Sequence, residues 1–167
     1  NIPGYQLLGS GFGKKLEIIA GLTVERPSPQ AIWAPRLSEG EWKKATSVCT
    51  RKSDGGGTWQ HKGNKEPQDL VLEWEKLKFK LKFTSFGHCG VFFEQQAVWD
   101  TLLRETRALE LELGRPVKFL NLFGYTGLAS LAAAAAGAQV THVDASKKSV
   151  NWARENQVLS GLSDKPI

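Results

Sequence analysis

Residues 116–146 read PVKFLNLFGYTGLASLAAAAAGAQVTHVDAS, and this stretch decides the fold. An apolar run over 117–122 breaks at Gly124 and Gly127 and passes into an alanine-rich segment. That segment breaks at Gly137 and a second run follows over 139–143, ending at Asp144. Short apolar runs bounded by glycine mark buried strands, and the longer alanine-rich stretch between them marks a helix. The order is strand, glycine turn, helix, strand. Such a turn sets backbone N–H groups and the positive end of a helix dipole beside a ligand, and an acid at the next strand end can accept hydrogen bonds from a ribose. The stretch reads as a site for a nucleotide-type cofactor. The competing reading is an ordinary βαβ unit whose glycines only end a strand and cap a helix.

The turn also discriminates between cofactors. A dinucleotide requires close backbone approach at several glycines, a pattern near GxGxxG. Here the turn is Phe123, Gly124, Tyr125, Thr126, Gly127. Phe123 and Tyr125 would crowd a diphosphate but suit a ligand with an adenosine and an amino-acid arm. Asp144 follows Gly127 at close to the roughly twenty residues expected of a ribose-binding acid.

The run from Asn121 to Gly127 (NLFGYTG), with Asp144, Ala145 and Ser146 downstream, resembles the cofactor half of class I S-adenosylmethionine-dependent methyltransferases. It is most similar to the ribosomal-RNA group of that class, whose glycine turn often reads F-x-Y-T-G. The resemblance extends upstream to residues 90–95 (GVFFEQ), similar to that group's G-x-F-x-[DE]-Q segment, and downstream to residues 153–156 (AREN). It implies S-adenosyl-L-methionine as cofactor, with Asp144 on the ribose hydroxyls, the backbone of 124–127 on the methionine end and Asn121 in the region of the amino group. It further implies that Phe93 packs near the cofactor and that Gln95 hydrogen-bonds to it. Phe123, Tyr125, Thr126, Ala145 and Ser146 complete the expected site.

The function implied is methyl transfer to structured RNA, ribosomal RNA first. A nicotinamide-dependent oxidoreductase would share the fold, and the missing GxGxxG disfavours it. From another class, a non-catalytic RNA-binding module could keep a vestigial cofactor fold. The family's reactive residues follow a later strand, in a D-P-P-like or cysteine-bearing segment absent from these residues. Residues 165–167 fall where a third strand would begin, so the chain is expected to be a fragment with its catalytic residues beyond Ile167.

Over 167 residues, the chain is 41% hydrophobic and 23% charged, ordinary values for a globular protein of one domain or two small ones. No apolar run approaches a membrane span, so a cytoplasmic protein is expected. Cys49 and Cys89 are too few for a disulfide framework or a metal cluster, and no metal site is expected. His88 beside Cys89 lacks a third orienting group and is not read as a nucleophile pair.

Charge divides the chain. Residues 1–65 carry ten Lys and Arg against five Asp and Glu, which accounts for the whole net charge of +5. A basic N-terminal part beside a neutral cofactor part fits RNA held by one and modified by the other; the bland alternative is a solvated basic surface.

Residues 5–33 carry Gly9, Gly11, Gly13 and Gly21 between apolar pieces and read as short strands and turns. In 24–33, Pro27 and Pro29 exclude a helix and disfavour a central strand. Residues 37–42 are polar with a break at Gly40, and 45–50 can pair as a strand. Residues 51–64, with three consecutive glycines, Trp59 and His61, read as a loop, either a hairpin tip or an RNA contact whose aromatic ring stacks on a base.

Alternation over 70–83 gives a hairpin turning at Glu75 and Lys76, with Lys78, Lys80 and Lys82 on its wet face. A helix is expected over 94–113, stopped by Gly114, and another from the N-cap Ser146 to about Leu159. The fold expected is α/β: a partial Rossmann-like methyltransferase sheet, comprising its first two βα units over 91–167, preceded by a small β-rich N-terminal region over 1–90.

Overall fold

The computed structural model describes residues 1–52 and 55–167. The chain forms two compact units: Asn1–Leu72 with Leu81–Cys89, and Glu73–Lys80 with Gly90–Ile167. Among the described residues no helix is long and apolar enough to cross a membrane.

The first unit is a five-stranded sheet in sequence order: β1 (Tyr5–Gly11), β2 (Lys14–Ile19), β3 (Leu22–Pro27), β4 (Ser47–Arg51) and β5 (Gly57–His61). All neighbours are antiparallel except β3 and β4. The turns at Phe12-Gly13 and Ala20-Gly21 have both residues at positive φ, the geometry whose twist matches that of paired strands. The parallel step from β3 to β4 needs a crossover, and residues 28–46 supply it, with a short helix α1 (Glu39–Trp42). The sequence reading took 37–42 only as a polar stretch broken at Gly40. Ser38 starts the helix there, its backbone N–H donating to Glu41 Oε2 at 2.8 Å.

Strand β2 buries both faces. Leu16 and Ile19 are in the core, and Glu17, wholly buried, accepts from Arg26 Nε at 2.6 Å and from Tyr5 Oη at 3.0 Å, with Lys15 Nζ at 3.2 Å. Burial pushes the Glu17 carboxyl up, but Arg26, Lys15 and Tyr5 outweigh it and hold the group below its ordinary value.

Two sequence expectations fail in this unit. Pro27 ends a central strand rather than excluding one. β3 meets β4 only through Val24 and Glu25, so the proline ring sits past the last shared position and removes no ladder hydrogen bond on that side. Residues 51–64 are not one long loop: β5 occupies 57–61 and pairs antiparallel along all of β4, so of the two readings of this stretch the hairpin holds, with a shorter tip. Ser53 and Asp54 of that stretch lie outside the described residues. Trp59 is also engaged, its indole N–H donating to Thr84 O at 2.7 Å and its ring set against Phe83.

The hairpin of β6 (Leu70–Trp74) and β7 (Leu77–Leu81) turns at Glu75 and Lys76, both left-handed without glycine. Its tip, Glu73–Lys80, belongs to the second unit, where Trp74 packs on Trp99 of helix α2 (Gln96–Leu113). α2 buries Trp99, Leu103 and Thr106 and ends on left-handed Gly114, as its spacing predicts.

Next come β8 (Lys118–Leu122), helix α3 (Leu128–Ala135), β9 (Gln139–Val143) and helix α4 (Lys147–Leu159). β8 and β9 pair in parallel from Lys118↔Gln139 to Leu122↔Val143, the βαβ unit read from the sequence. In α3, Ala132, Ala133 and Ala134 are wholly buried, and the small side chains let the helix lie close to its neighbours.

The exposed edge of β7 is not left to its lysines. Lys80 N–H donates to Asn156 Oδ1 at 2.8 Å, Lys78 N–H donates to Ser160 Oγ at 3.0 Å, and Trp152 Nε1 donates to Lys80 O at 3.0 Å. Side chains of α4 and its C-cap thus do for β7 what another strand would do. Asn156 is the fully buried member of this set, and its Nδ2 also donates to Thr126 O at 2.9 Å. Asn156→Ala leaves a donor and an acceptor unpaired, at about 1–3 kcal/mol each. In urea denaturation it is expected to lose about 2 kcal/mol or more, while Ser160→Ala, at the exposed end, loses less.

Candidate functional site

The turn between β8 and α3 alternates in handedness: Phe123 (φ 58), Tyr125 (φ 51) and Gly127 (φ 91) are left-handed. For two aromatic residues this costs roughly 1–2 kcal/mol each, so the surroundings must hold the loop. Gly124 N–H donates to Val143 O at 2.9 Å, and Gly127 N–H to Gly124 O at 3.0 Å. Thr126, buried, donates its hydroxyl to Gly90 O while its carbonyl accepts from Asn156. Tyr125 N–H donates to Asp144 Oδ2 at 2.8 Å.

The glycines serve packing. A Cβ at Gly124 would collide with the His142 imidazole, and one at Gly127 would stand 2.8 Å from Ala153 Cβ. A Cβ at Gly90 would likewise strike the Trp152 ring.

Asp144 stands at the C-terminal end of β9. Its Oδ1 accepts from Ser146 N–H at 2.8 Å and its Oδ2 from Tyr125 N–H. An ionised carboxylate has about four lone-pair sites; two are committed to backbone, and two remain for a ligand. Ser146 caps α4 by accepting from Ser149 N–H at 3.2 Å, and Ala145 is exposed between them.

Below the turn runs a polar chain. Asn121 Nδ2 donates to Ser130 Oγ at 2.9 Å, and Ser130 Oγ shares a hydrogen bond with His142 Nδ1 at 2.9 Å. His142 Nε2 is buried with no partner among the described residues. Burial holds the imidazole below its ordinary pKa, while Asp144 pulls it the other way.

Around the turn, the Tyr125 ring meets Phe92 at 5.0 Å and Trp152 at 6.5 Å. Phe93 is buried in the short 3-10 turn Phe93–Gln95 that precedes α2, where Gln95 is exposed as the helix N-cap. Phe123 is 90% exposed.

Known proteins are similar to this chain in sequence and fold. A solved S-adenosylmethionine-dependent methyltransferase from Agrobacterium tumefaciens is 45% identical, superposes with a TM-score of 0.88, and is matched over 98% of this chain and 51% of its own. The ribosomal RNA large subunit methyltransferase K/L of Shewanella frigidimarina is 36% identical over 145 residues, 81% of this chain and 19% of that protein. The chain is a relative of the S-adenosylmethionine-dependent methyltransferases. It spans about half of the Agrobacterium chain and about a fifth of the Shewanella protein. A tRNA methyltransferase from M. jannaschii, 12% identical at a TM-score of 0.52 over 98% of this chain and 44% of its own, shares the fold alone. No family model matches the chain.

In this methyltransferase relative the sequence-derived residues fall into groups. Asn121, Gly124, Tyr125, Thr126, Gly127, Asp144 and Ser146 are joined by the hydrogen bonds and packing above, whereas Phe123, Gln95 and Ala145 project outward. Sequence reasoning missed Ser130, His142, Trp152 and Asn156. Ser130 could have been found as the one polar residue of an otherwise apolar helix, and His142 as sharing a face of β9 with buried Val140.

A pH dependence follows from His142. With its folded pKa below the unfolded value of about 6.5, its contribution to stability is complete above that pH and is lost as pH falls below it, because the unfolded chain binds the proton more readily. The urea midpoint is expected to drop between pH 7.5 and pH 5.5, and His142→Ala is expected to flatten that part of the profile.

Proposed function

We propose that this chain is the S-adenosylmethionine-binding part, with its N-terminal region, of a methyltransferase acting on RNA, ribosomal RNA first. The observation that carries the cofactor is Asp144. A carboxylate fixed by two backbone N–H groups, with two acceptor positions left, is the complement of the two neighbouring hydroxyls of a ribose. The resident group would supply an activated methyl; the chain's own work is to bind, orient and exclude water. The backbone of residues 124–127 would face the methionine end, Asn121 its amino group, and Ala145 and Ser146 the nucleoside, with Phe93, Gln95 and Phe123 flanking.

The names of the relatives support RNA as substrate, as does the basic excess in residues 1–65. Residues 1–90 would contact RNA and residues 91–167 begin the cofactor domain. The same reading puts the protein in the cytoplasm with its substrate. A nicotinamide cofactor is disfavoured by the glycines, whose missing Cβ positions are taken by His142 and Ala153 rather than left for a pyrophosphate.

Calorimetric titration of the full-length protein with S-adenosylhomocysteine and with NAD tests this. S-adenosylhomocysteine is expected to bind and NAD not, and Asp144→Ala is expected to weaken binding by about one to two decades. Unchanged affinity in the folded variant removes Asp144 from the site.

For the substrate, each neutralised phosphate contributes a slope of roughly −0.7 to −0.9 in log affinity against log salt. RNA binding is expected to fall steeply with salt, and charge reversal at Lys43, Lys44, Arg51 and Lys52 to flatten the dependence. A flat response in the parent protein points to a small-molecule substrate.

A further inference from the structure

The first unit holds a groove of about 510 Å³ among Phe12, Lys14, Glu25, Trp42, Lys43 and neighbours, and a second of about 360 Å³ beside it at Trp33 and Arg36, the two sharing Leu37. The aromatic rings there are offered outward. Phe12 is 69% exposed and Trp33 54%. Neither is loose. Phe12 N–H donates to Trp33 O at 2.9 Å, Gly13 N–H donates to Ala31 O at 2.8 Å, and the Trp33 indole N–H donates to Ser10 O at 3.1 Å. The tip of the β1–β2 hairpin is thereby strapped to the crossover segment, which fixes the backbone that carries Phe12 and both the backbone and the indole of Trp33. Two exposed aromatic side chains carried on a fixed backbone are the make-up of a stacking platform.

Polar groups accompany them. Lys14 Nζ lies 4.9 Å from the Trp42 ring centre and 2.8 Å from Glu25 Oε1, so its charge is already met. The Lys43 pair with Glu39, 3.8 Å and exposed on both sides, is weak. Arg36 is exposed and has no ion-pair partner among the described residues. Trp42, which lines the groove, is buried, and its indole N–H has no hydrogen-bond partner among the described residues. The unit carries eleven Lys and Arg against seven Asp and Glu, a net +4 that favours a polyanion over an uncharged or acidic-seeking peptide.

We propose that these joined grooves bind unpaired nucleotides of the RNA substrate, with bases stacked on Phe12 and Trp33 and phosphates met by Arg36 and Lys43. The proposal rests on the RNA reading above and adds to it where the RNA lies and in what form. A duplex keeps its bases stacked on one another and presents only backbone to such a surface, whereas an unpaired strand has free ring faces to give it.

The test uses the full-length protein with a single-stranded RNA carrying 4-thiouridine and a blunt RNA duplex of the same length. Photocrosslinks mapped by mass spectrometry are expected on peptides containing Phe12, Trp33 or Trp42. Phe12→Ala, at an exposed hairpin turn, is expected to weaken single-strand binding about tenfold while leaving duplex binding and S-adenosylhomocysteine binding unchanged. Arg36→Ala, which leaves every ring in place, is expected to weaken single-strand binding and lower its salt slope by about one phosphate's share. Salt-dependent RNA binding with crosslinks elsewhere and a neutral Phe12→Ala overturns the groove and leaves the RNA reading standing. No RNA binding by the parent protein removes both.

Discussion

A buried amide ties three parts of the second unit to one another. Asn156, on α4, accepts from the backbone of β7 with one end and donates to the carbonyl of Thr126 with the other. It is fully buried, so neither bond competes with water, and each group it satisfies would otherwise carry the penalty of an unpaired polar atom in the interior. One side chain therefore bonds both the edge of a hairpin that, among the described residues, has no further strand beside it and the loop on which the candidate site is built. Trp152, one turn earlier on α4, adds a hydrogen bond to Lys80 O and sets its ring where Gly90 must lack a side chain. The helix after the second strand is a clamp as much as a layer of the sheet.

That clamp explains how the turn tolerates its own geometry. Phe123 and Tyr125 occupy a backbone region that aromatic residues avoid. Strain of this kind persists only where the surroundings over-determine it. Here Thr126 is pinned from both sides, Gly124 is bonded to the end of β9, and Tyr125 N–H is spent on Asp144. The acid and the turn thus position one another: the same contact that helps keep Tyr125 left-handed also fixes one oxygen of Asp144 and leaves lone pairs of both oxygens outward.

The βαβ unit, its flanking helices and the β6–β7 hairpin were legible in the sequence because their signals are local. Period-two alternation, alanine runs, and caps at Ser146 and Gly114 each act within a few residues. The N-terminal sheet was legible only as strands and turns. Whether Pro27 breaks a central strand depends on how far β4 runs beside it, and whether 57–61 is a loop depends on what β4 offers as a partner. Neither question has a local answer. Asp144 and the glycine turn could be named from spacing, but the polar chain of Asn121, Ser130 and His142 exists only once β8, α3 and β9 are stacked.

The glycines show why spacing and purpose need separate treatment. In a dinucleotide turn, one of the glycines is required where the pyrophosphate meets the backbone, so that position records the ligand. In this turn, the space a Cβ would take at 124 belongs to His142 and that at 127 to Ala153, so the pattern records the protein's own second strand and following helix. A turn freed from admitting phosphate can carry large residues between its glycines. Phe123 and Tyr125 are such residues, one standing almost fully in solvent and the other backed by Phe92 and Trp152. With its glycines committed to inward packing, the turn offers outward the Asp144 carboxylate and the rings beside it, the groups on which the proposed nucleoside reading rests.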